Sequence, residues 1–350
     1  MDPLPEWARR EAPKDEEILG ADALERRLDG WFEPGLSLAG DLMLGGRSFE
    51  VLEREGPDYA FRAIGPLLSR SPIVLANLES PISRKGTRRA RRIAYRMRPR
   101  MAMAIAEAGV NILHLANNHL MDCGPEGVLE TIQIARESGL QTIGAGVNEV
   151  DAHRPVVRST GGKRLGFLGY YWHPRSAAGP SLPGTAMNRP ERVASDIDAL
   201  RERVERVVVT FHWGTPYDRV PGEEVRARAR HAIDCGADLV AGHHPHIIQP
   251  LEIYRGRPVF YSLGNFAFGS GNSRAEGLFL SVGFQEGSFA CVAIPLYVRN
   301  RDPRVNFQPK ALSGSSGERM IRNLVHPEFP GGEHLEIRDG WGFLSLPGAP

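Results

Sequence analysis

The chain has 350 residues, a formal net charge of +1, 41% hydrophobic residues and 24% charged ones. This is a soluble globular composition, enough for one large core or two modest ones, and the near-neutral balance argues against general nucleic-acid binding. The three cysteines, Cys123, Cys235 and Cys291, lie far apart without paired spacing, so free thiols in a reducing compartment are expected.

The opening residues Met1 to Glu6 lack the apolar core of a signal peptide, and no run approaches 18 apolar residues. A cytoplasmic protein with no membrane partner is the expectation. Residues 1–34 read as a polar, peripheral lead-in with a weak helical pattern from Ala23 to Trp31. From Gly35, apolar runs alternate with amphipathic stretches. Strands are predicted at 36–44, 73–78, 112–116, 165–170, 207–211, 239–241 and 259–263, and helices at 101–108, 124–138, 190–204 and 222–235. That alternation predicts an α/β fold with helix-covered sheet. Beyond about residue 275 the pattern turns to strand, at 278–282, 291–298 and 305–310. One domain over 35–312 is expected, with 313–350 as a surface extension. The Gly- and Pro-rich segment 179–190 reads as a long loop over a site.

Polar residues gather where the apolar runs end, the edge at which open α/β sheets bind ligands. Asp41, behind Gly40, ends the first run; it is a first metal ligand or else a helix cap. Asn77 and Glu79 end the second and share one side of an extended chain, with Glu79 a bridging or terminal oxygen ligand or a solvated strand end. Between the second and third runs lies a basic block, Arg84 to Arg100. It is a solvated loop or, through Arg96 and Arg98 on one face of a strand-like 93–98, a dock for a carboxylate.

The third run opens into Asn117-Asn118-His119-Leu120-Met121-Asp122. Asn118 offers a neutral oxygen to a metal, and His119 with Asp122 forms a candidate acid–base pair unless Asp122 only caps the helix. His114, inside the run, reads as a core histidine. His173 and His212 end later runs, His173 as a substrate contact and His212 as metal ligand or base. Gly242-His243-His244-Pro245-His246 supplies a His-x-His pair, and neutral imidazole is the commonest metal ligand.

Taken in order, Gly40-Asp41-Leu42-Met43-Leu44, Asn77-Leu78-Glu79, Ala116 to Gly124, Gly144-Ala145-Gly146-x-Asn148, His212-Trp213-Gly214, Gly242 to His246 and Tyr261 to Phe266 are similar to the CapA-type poly-γ-glutamate capsule-biosynthesis proteins of the calcineurin-like metallophosphoesterase superfamily. The resemblance covers roughly residues 35–270. It implies a four-layer αββα sandwich with metal at the strand ends. Three departures stand out. Asp41-Leu42-Met43 lacks the histidine of the superfamily's usual Asp-x-His. Thr215-Pro216-Tyr217 stands where the family often has an acidic residue, a role either lost or taken by Asp218. The membrane anchor usual in capsule proteins is missing, which argues against capsule assembly at the cell surface.

The expected ligands of a divalent metal are drawn from Asp41, Glu79, Asn118, His212, His244 and His246. This mixed oxygen and imidazole set leaves Mn, Zn and Ca open. The leading functional expectation is Cα epimerisation of a ribosomal, lasso-type precursor peptide, which needs acid–base groups on both sides of one carbon. His119 with Asp122 would be one group, and His212 or His246 with Asp41 the other. Arg96, Arg98, Asn117, His173 and Tyr217 would contact an anionic peptide. The alternatives are hydrolysis of a phosphoester or γ-glutamyl amide, and non-enzymatic binding of poly-γ-glutamate.

Overall fold

The computed structural model describes residues 12–30, 33–84, 93–271, 273–285 and 288–347. Its centre is a run of parallel strands, Leu36–Met43, Val74–Leu78, Ile112–His114 and Gln141–Ile143. Gly277–Gln285, Ser288–Tyr297, Lys310–Leu312 and Ile18–Leu19 extend that sheet antiparallel from the first strand. A second sheet sets Lys163–Tyr171, Arg206–His212, Leu239–His243 and Arg257–Phe260 parallel, with Val156–Thr160 and Leu251–Tyr254 antiparallel at its edges.

Alternation of side chains along each strand divides the core into layers. Leu36, Leu38, Leu75 and Ile112 meet Phe167, Val208, Leu239 and Phe260 between the sheets. On the first sheet's other face, Val74, Ala76 and Leu113 pack under the helices Ala21–Leu28, Arg100–Glu107 and Gly124–Glu137. Val207, Val209 and Val240 pack under Pro190–Arg201 and Glu223–Asp234. The result is the four-layer αββα sandwich expected from the resemblance.

Most predicted elements fall within a few residues of their expected ends, because long apolar periodicity is a strong signal. Four expectations change. Residues 305–307 are turn and 308–309 irregular, Asn306 and Phe307 have positive φ, and the strand is only Lys310–Leu312. Residues 93–98 form no strand; Met97 makes a single bridge to Ile82. The 12–30 segment is no peripheral lead-in: Ile18–Leu19 forms the sheet edge and Leu24 and Leu28 are buried. Nor is 313–350 a surface extension over its described part, since Trp341–Pro347 pairs with Ser288–Tyr297 and Trp341 is fully buried. Short, polar-interrupted segments like these gain their burial from distant strands, which local pattern does not reveal. The 179–190 loop is pinned through Gly184–Thr185 to Ala145–Gly146.

Candidate metal centre

The inter-sheet layer turns from apolar to polar toward the C-terminal strand ends. His114 on the first sheet and Thr210, His212 and His243 on the second continue the inward positions of Ile112, Val208 and Leu239. A bulge sets Asp41 among them. The pairing slips between Ala39 and Asp41, so Asp41 lies opposite Asn77 on the inter-sheet side. A regular ladder would place it opposite Leu78, facing the helices; re-aiming a side chain is a recurrent use of such bulges. Gly40 makes this possible, because a Cβ there would sit 2.1 Å from the Gly264 carbonyl oxygen.

Two groups of donor atoms converge at this end, each within 4.8 Å of one another: Glu79 with His212 and His244, and Asp41 with Glu79 and His246. Glu79 belongs to both. Its Oε1 lies 3.6 Å from His212 Nε2, and 3.9 Å from both His244 Nδ1 and His246 Nε2. These spacings are too long for hydrogen bonds. Both Glu79 oxygens and His244 Nδ1 are buried without hydrogen-bond partners. A buried carboxylate is normally fully partnered, and a divalent cation answers that deficit. The residues present therefore fit a divalent metal, which Asp41, Glu79, His212, His244 and His246 would hold, with Asn118, whose Oδ1 is 2.8 Å from His212 Nε2, beside them.

Backbone strain accompanies the His-x-His pair. His244 has φ 98° and His246 φ 58°, left-handed conformations that a side chain adopts at a cost and that cluster at functional sites. His246 Nδ1 meets Asn265 Oδ1 at 2.8 Å and Asp41 Oδ2 at 3.1 Å, which turns Nε2 toward Glu79. Burial would lower its pKa, but the facing Glu79 and Asp41 carboxylates raise it to about 9. Burial pushes Glu79 up to about 7 and His244 down to about 4, and holds His212 well below the usual imidazole range. A neutral His212 and His244 are ready to ligate.

His119 Nδ1 lies 2.6 Å from Asp122 Oδ2, and its Nε2 is 4.0 Å from Glu79 Oε1. Asp122 also accepts the Tyr95 amide, and the Tyr95 ring packs at a tilt against His119, centroids 4.4 Å apart. The dyad thus lies beside the donor groups.

The expected substrate contacts fare unevenly. Asn117 is not available to substrate: it is fully buried, donating to the Leu78 carbonyl and accepting from the His119 and Leu120 amides, so it shapes the loop. Arg98 is exposed, pairs with Glu53 at 3.2 Å and lies over the Phe49 ring at 4.1 Å. Arg96 is half-buried, its guanidinium reaching the Arg84 carbonyl; residues 85–92 of the basic block lie outside the described residues. His173 Nδ1 accepts the Arg175 amide and caps a short turn. Tyr217, with φ 69°, stands 6.0 Å ring to ring from His246. The sequence set Asn77, His243 and Asn265 within its motifs but gave them no role; Asn77 donates to Asp41 at 2.8 Å and lies 3.2 Å from His212 Nδ1. Asn265 stood in a motif already noted; its contact with His246 required the parallel pairing of Asn265 with Asp41.

The chain is 34% identical to the capsule biosynthesis protein CapA of Bacillus anthracis over 251 residues, 69% of this chain and 61% of that protein. It is 33% identical to the PGA biosynthesis protein CapA of Bacillus subtilis (strain 168), over 69% and 64% of the two chains. It thus spans less than two thirds of either relative. Among solved structures, a 5′-nucleotidase from Candida albicans aligns at 10% identity and a TM-score of 0.43, over 79% of this chain and 54% of that one. A hypothetical protein from Thermus thermophilus aligns at 16% and 0.42, over 78% and 95%. Residues 35–270, which hold all the donor residues, match the family described as bacterial capsule synthesis protein PGA_cap, and to that family the chain belongs.

Proposed function

We propose that the protein is a metal-dependent enzyme of poly-γ-glutamate synthesis that cleaves γ-glutamyl amide bonds. The observation that carries this reading is Glu79, buried and unpartnered between two ligand groups. The relatives named for capsule and PGA biosynthesis supply the substrate class. Neither is described as an epimerase, so peptide epimerisation loses its preference to the capsule-polymer alternative. No described helix is long and apolar enough to cross a membrane, which weighs neither for nor against this reading.

A divalent pair held by Asp41, Glu79, Asn118, His212, His244 and His246 would supply Lewis acidity at the amide carbonyl and a nucleophile made from water at neutral pH. His119 then delivers a proton from Nε2 to the departing amine, with Asp122 on Nδ1 fixing the tautomer and stabilising the charged ring. Asn77 and Asn265 hold Asp41 and His246 in position.

The test is to incubate metal-loaded protein with poly-γ-glutamate in D₂O, and to follow chain length, free amine and deuterium at Cα. Shortened chains and new amines that disappear with chelator are expected. Deuterium at Cα with unchanged length would restore the epimerase reading and overturn this one. Tight polymer binding without cleavage would reduce the protein to a carrier.

A further inference from the structure

His246 holds a left-handed backbone conformation, φ 58°, and a residue with a side chain stays there only where its surroundings over-determine it. The chain around it is tied down at successive peptide groups. The Pro245 carbonyl accepts the Tyr217 amide at 2.9 Å, and the His246 carbonyl accepts the Glu276 amide at 3.1 Å. The Ile247 carbonyl accepts the Ser262 hydroxyl at 2.7 Å, and the Ile248 amide donates to Glu276 Oε2 at 3.2 Å. Glu276 thus holds this segment twice, once through its main chain and once through its carboxylate.

A third hold runs through Asn265. Its amide donates to the Glu276 carbonyl at 2.7 Å, while its Oδ1 meets His246 Nδ1 at 2.8 Å. The approach is close enough that a Cβ on Gly264 would lie 2.1 Å from the same Glu276 carbonyl oxygen. The Glu276 carboxylate is buried, and Arg219 grips it with two bonds of 2.7 Å, one to each oxygen. Asn323 adds a bond to Oε2 at 3.1 Å. Arg219 stands two residues beyond Tyr217, so the loop that meets Pro245 and the carboxylate that takes Ile248 are locked together. Two-pronged arginine–carboxylate bonds fix orientation as well as adding energy. Desolvation of a buried pair offsets much of its attraction, so this pair contributes geometry more than stability.

We propose that Glu276, gripped by Arg219, is the positioning residue that keeps His246 in its metal-ligating conformation. The inference rests on the metal-centre reading of the strand ends. Glu276 acts through the main chain of residues 246–248 and through Asn265. Glu276 and Asn323 both lie beyond residues 35–270, the stretch that matches the family, so the frame of the metal centre extends into the C-terminal part of the chain. Loosening the grip lets His246 relax toward an ordinary backbone conformation and carries its Nε2 away from Glu79.

The experiment titrates metal-free protein with Co(II) against a competing chelator, and records the visible spectrum of the loaded protein and the melting temperature of the chelated one. Wild type is compared with Glu276→Gln and Arg219→Lys. Asp238→Asn is the control for lost stability alone: Asp238 is also a buried carboxylate held by arginines, Arg201 and Arg257, but it precedes Leu239–His243 at the end away from the ligands. Glu276→Gln should bind Co(II) about tenfold more weakly, the lower end of the ~10–100-fold that follows loss of a group bonded directly to a ligand, with its ligand-field bands displaced. Arg219→Lys should change affinity and spectrum in the same direction, and Asp238→Asn should change only the melting temperature. Wild-type affinity and spectrum in Glu276→Gln, or in Arg219→Lys if Glu276→Gln does not fold, overturns the inference and leaves the metal centre standing. An equal weakening in Asp238→Asn does the same. If wild type binds no Co(II), the metal-centre reading falls and this inference with it.

Discussion

Replacing Glu79 by Gln should stabilise the metal-free protein and weaken the metal-loaded one. In the absence of metal the Glu79 carboxyl is fully buried, neither oxygen has a partner, and burial raises its pKa from 4.5 to about 7. A raised carboxyl pKa leaves stability untouched below pH 4.5. The penalty grows between 4.5 and 7 as the unfolded chain releases the proton first, and is complete above 7. At about 1.4 kcal/mol per tenfold change in proton affinity, the full penalty is ~3 kcal/mol. The amide of the Glu79→Gln variant resembles the neutral acid and escapes it. The pull of the charged His246 on the carboxylate is already contained in that pKa. The chelated variant should therefore be more stable at pH 8 by ~3 kcal/mol, a melting temperature higher by about 4 °C for a chain of this size. Metal should reverse the order: at a hundredfold excess over Kd the wild type gains ~2.7 kcal/mol, and the variant lacks the carboxylate proposed to bind it. Thermal melts of both proteins at pH 5 and pH 8, with chelator and with metal, give the comparison. A chelated variant less stable than wild type at pH 8, or equal metal-induced shifts in the two proteins, would refute the assignment of Glu79 as a metal ligand.

Asp122→Asn should lower kcat by ~10²–10⁴-fold while metal content by elemental analysis stays at the wild-type level, because Asp122 acts through His119 and touches no proposed ligand. Gly40→Ala should cost several kcal/mol in urea denaturation, on the order of an overpacked core, and abolish metal binding as the bulge that aims Asp41 gives way; wild-type stability would show that the Gly264 carbonyl moves aside freely. Glu17 should stabilise the fold in a pH-dependent way. Burial alone would raise its pKa, but bonds from Ser316, Ser315 and the Lys14 amide lower it from 4.5 to about 2. That contribution is complete above pH 4.5 and lost as pH falls through about 2. Glu17→Gln should cost ~1–3 kcal/mol at pH 7, with the difference vanishing near pH 2 in chemical denaturation; a constant difference would assign the effect to packing.

The sequence by itself carried the layered α/β architecture and most of the ligand set, because buried parallel strands write long apolar runs and their polar ends stand out against them. Asp41, Glu79, His212, His244 and His246 were each legible in that way. Tertiary structure decided what those residues are to one another. Glu79 became shared between two groups only when sheets built from residues 36–78 and 206–246 closed face to face. Asp41 reached the cluster through a bulge that shifts its register by a single residue. Asn117 looked like a substrate contact beside Asn118 and His119, yet is buried as the loop's hydrogen-bond hub, since neighbours in a tight loop point in different directions. Asn77 and Asn265, which orient the ligands, and the terminal hairpin around Trp341 depend on pairings across distant parts of the chain, for which local sequence holds no period to read.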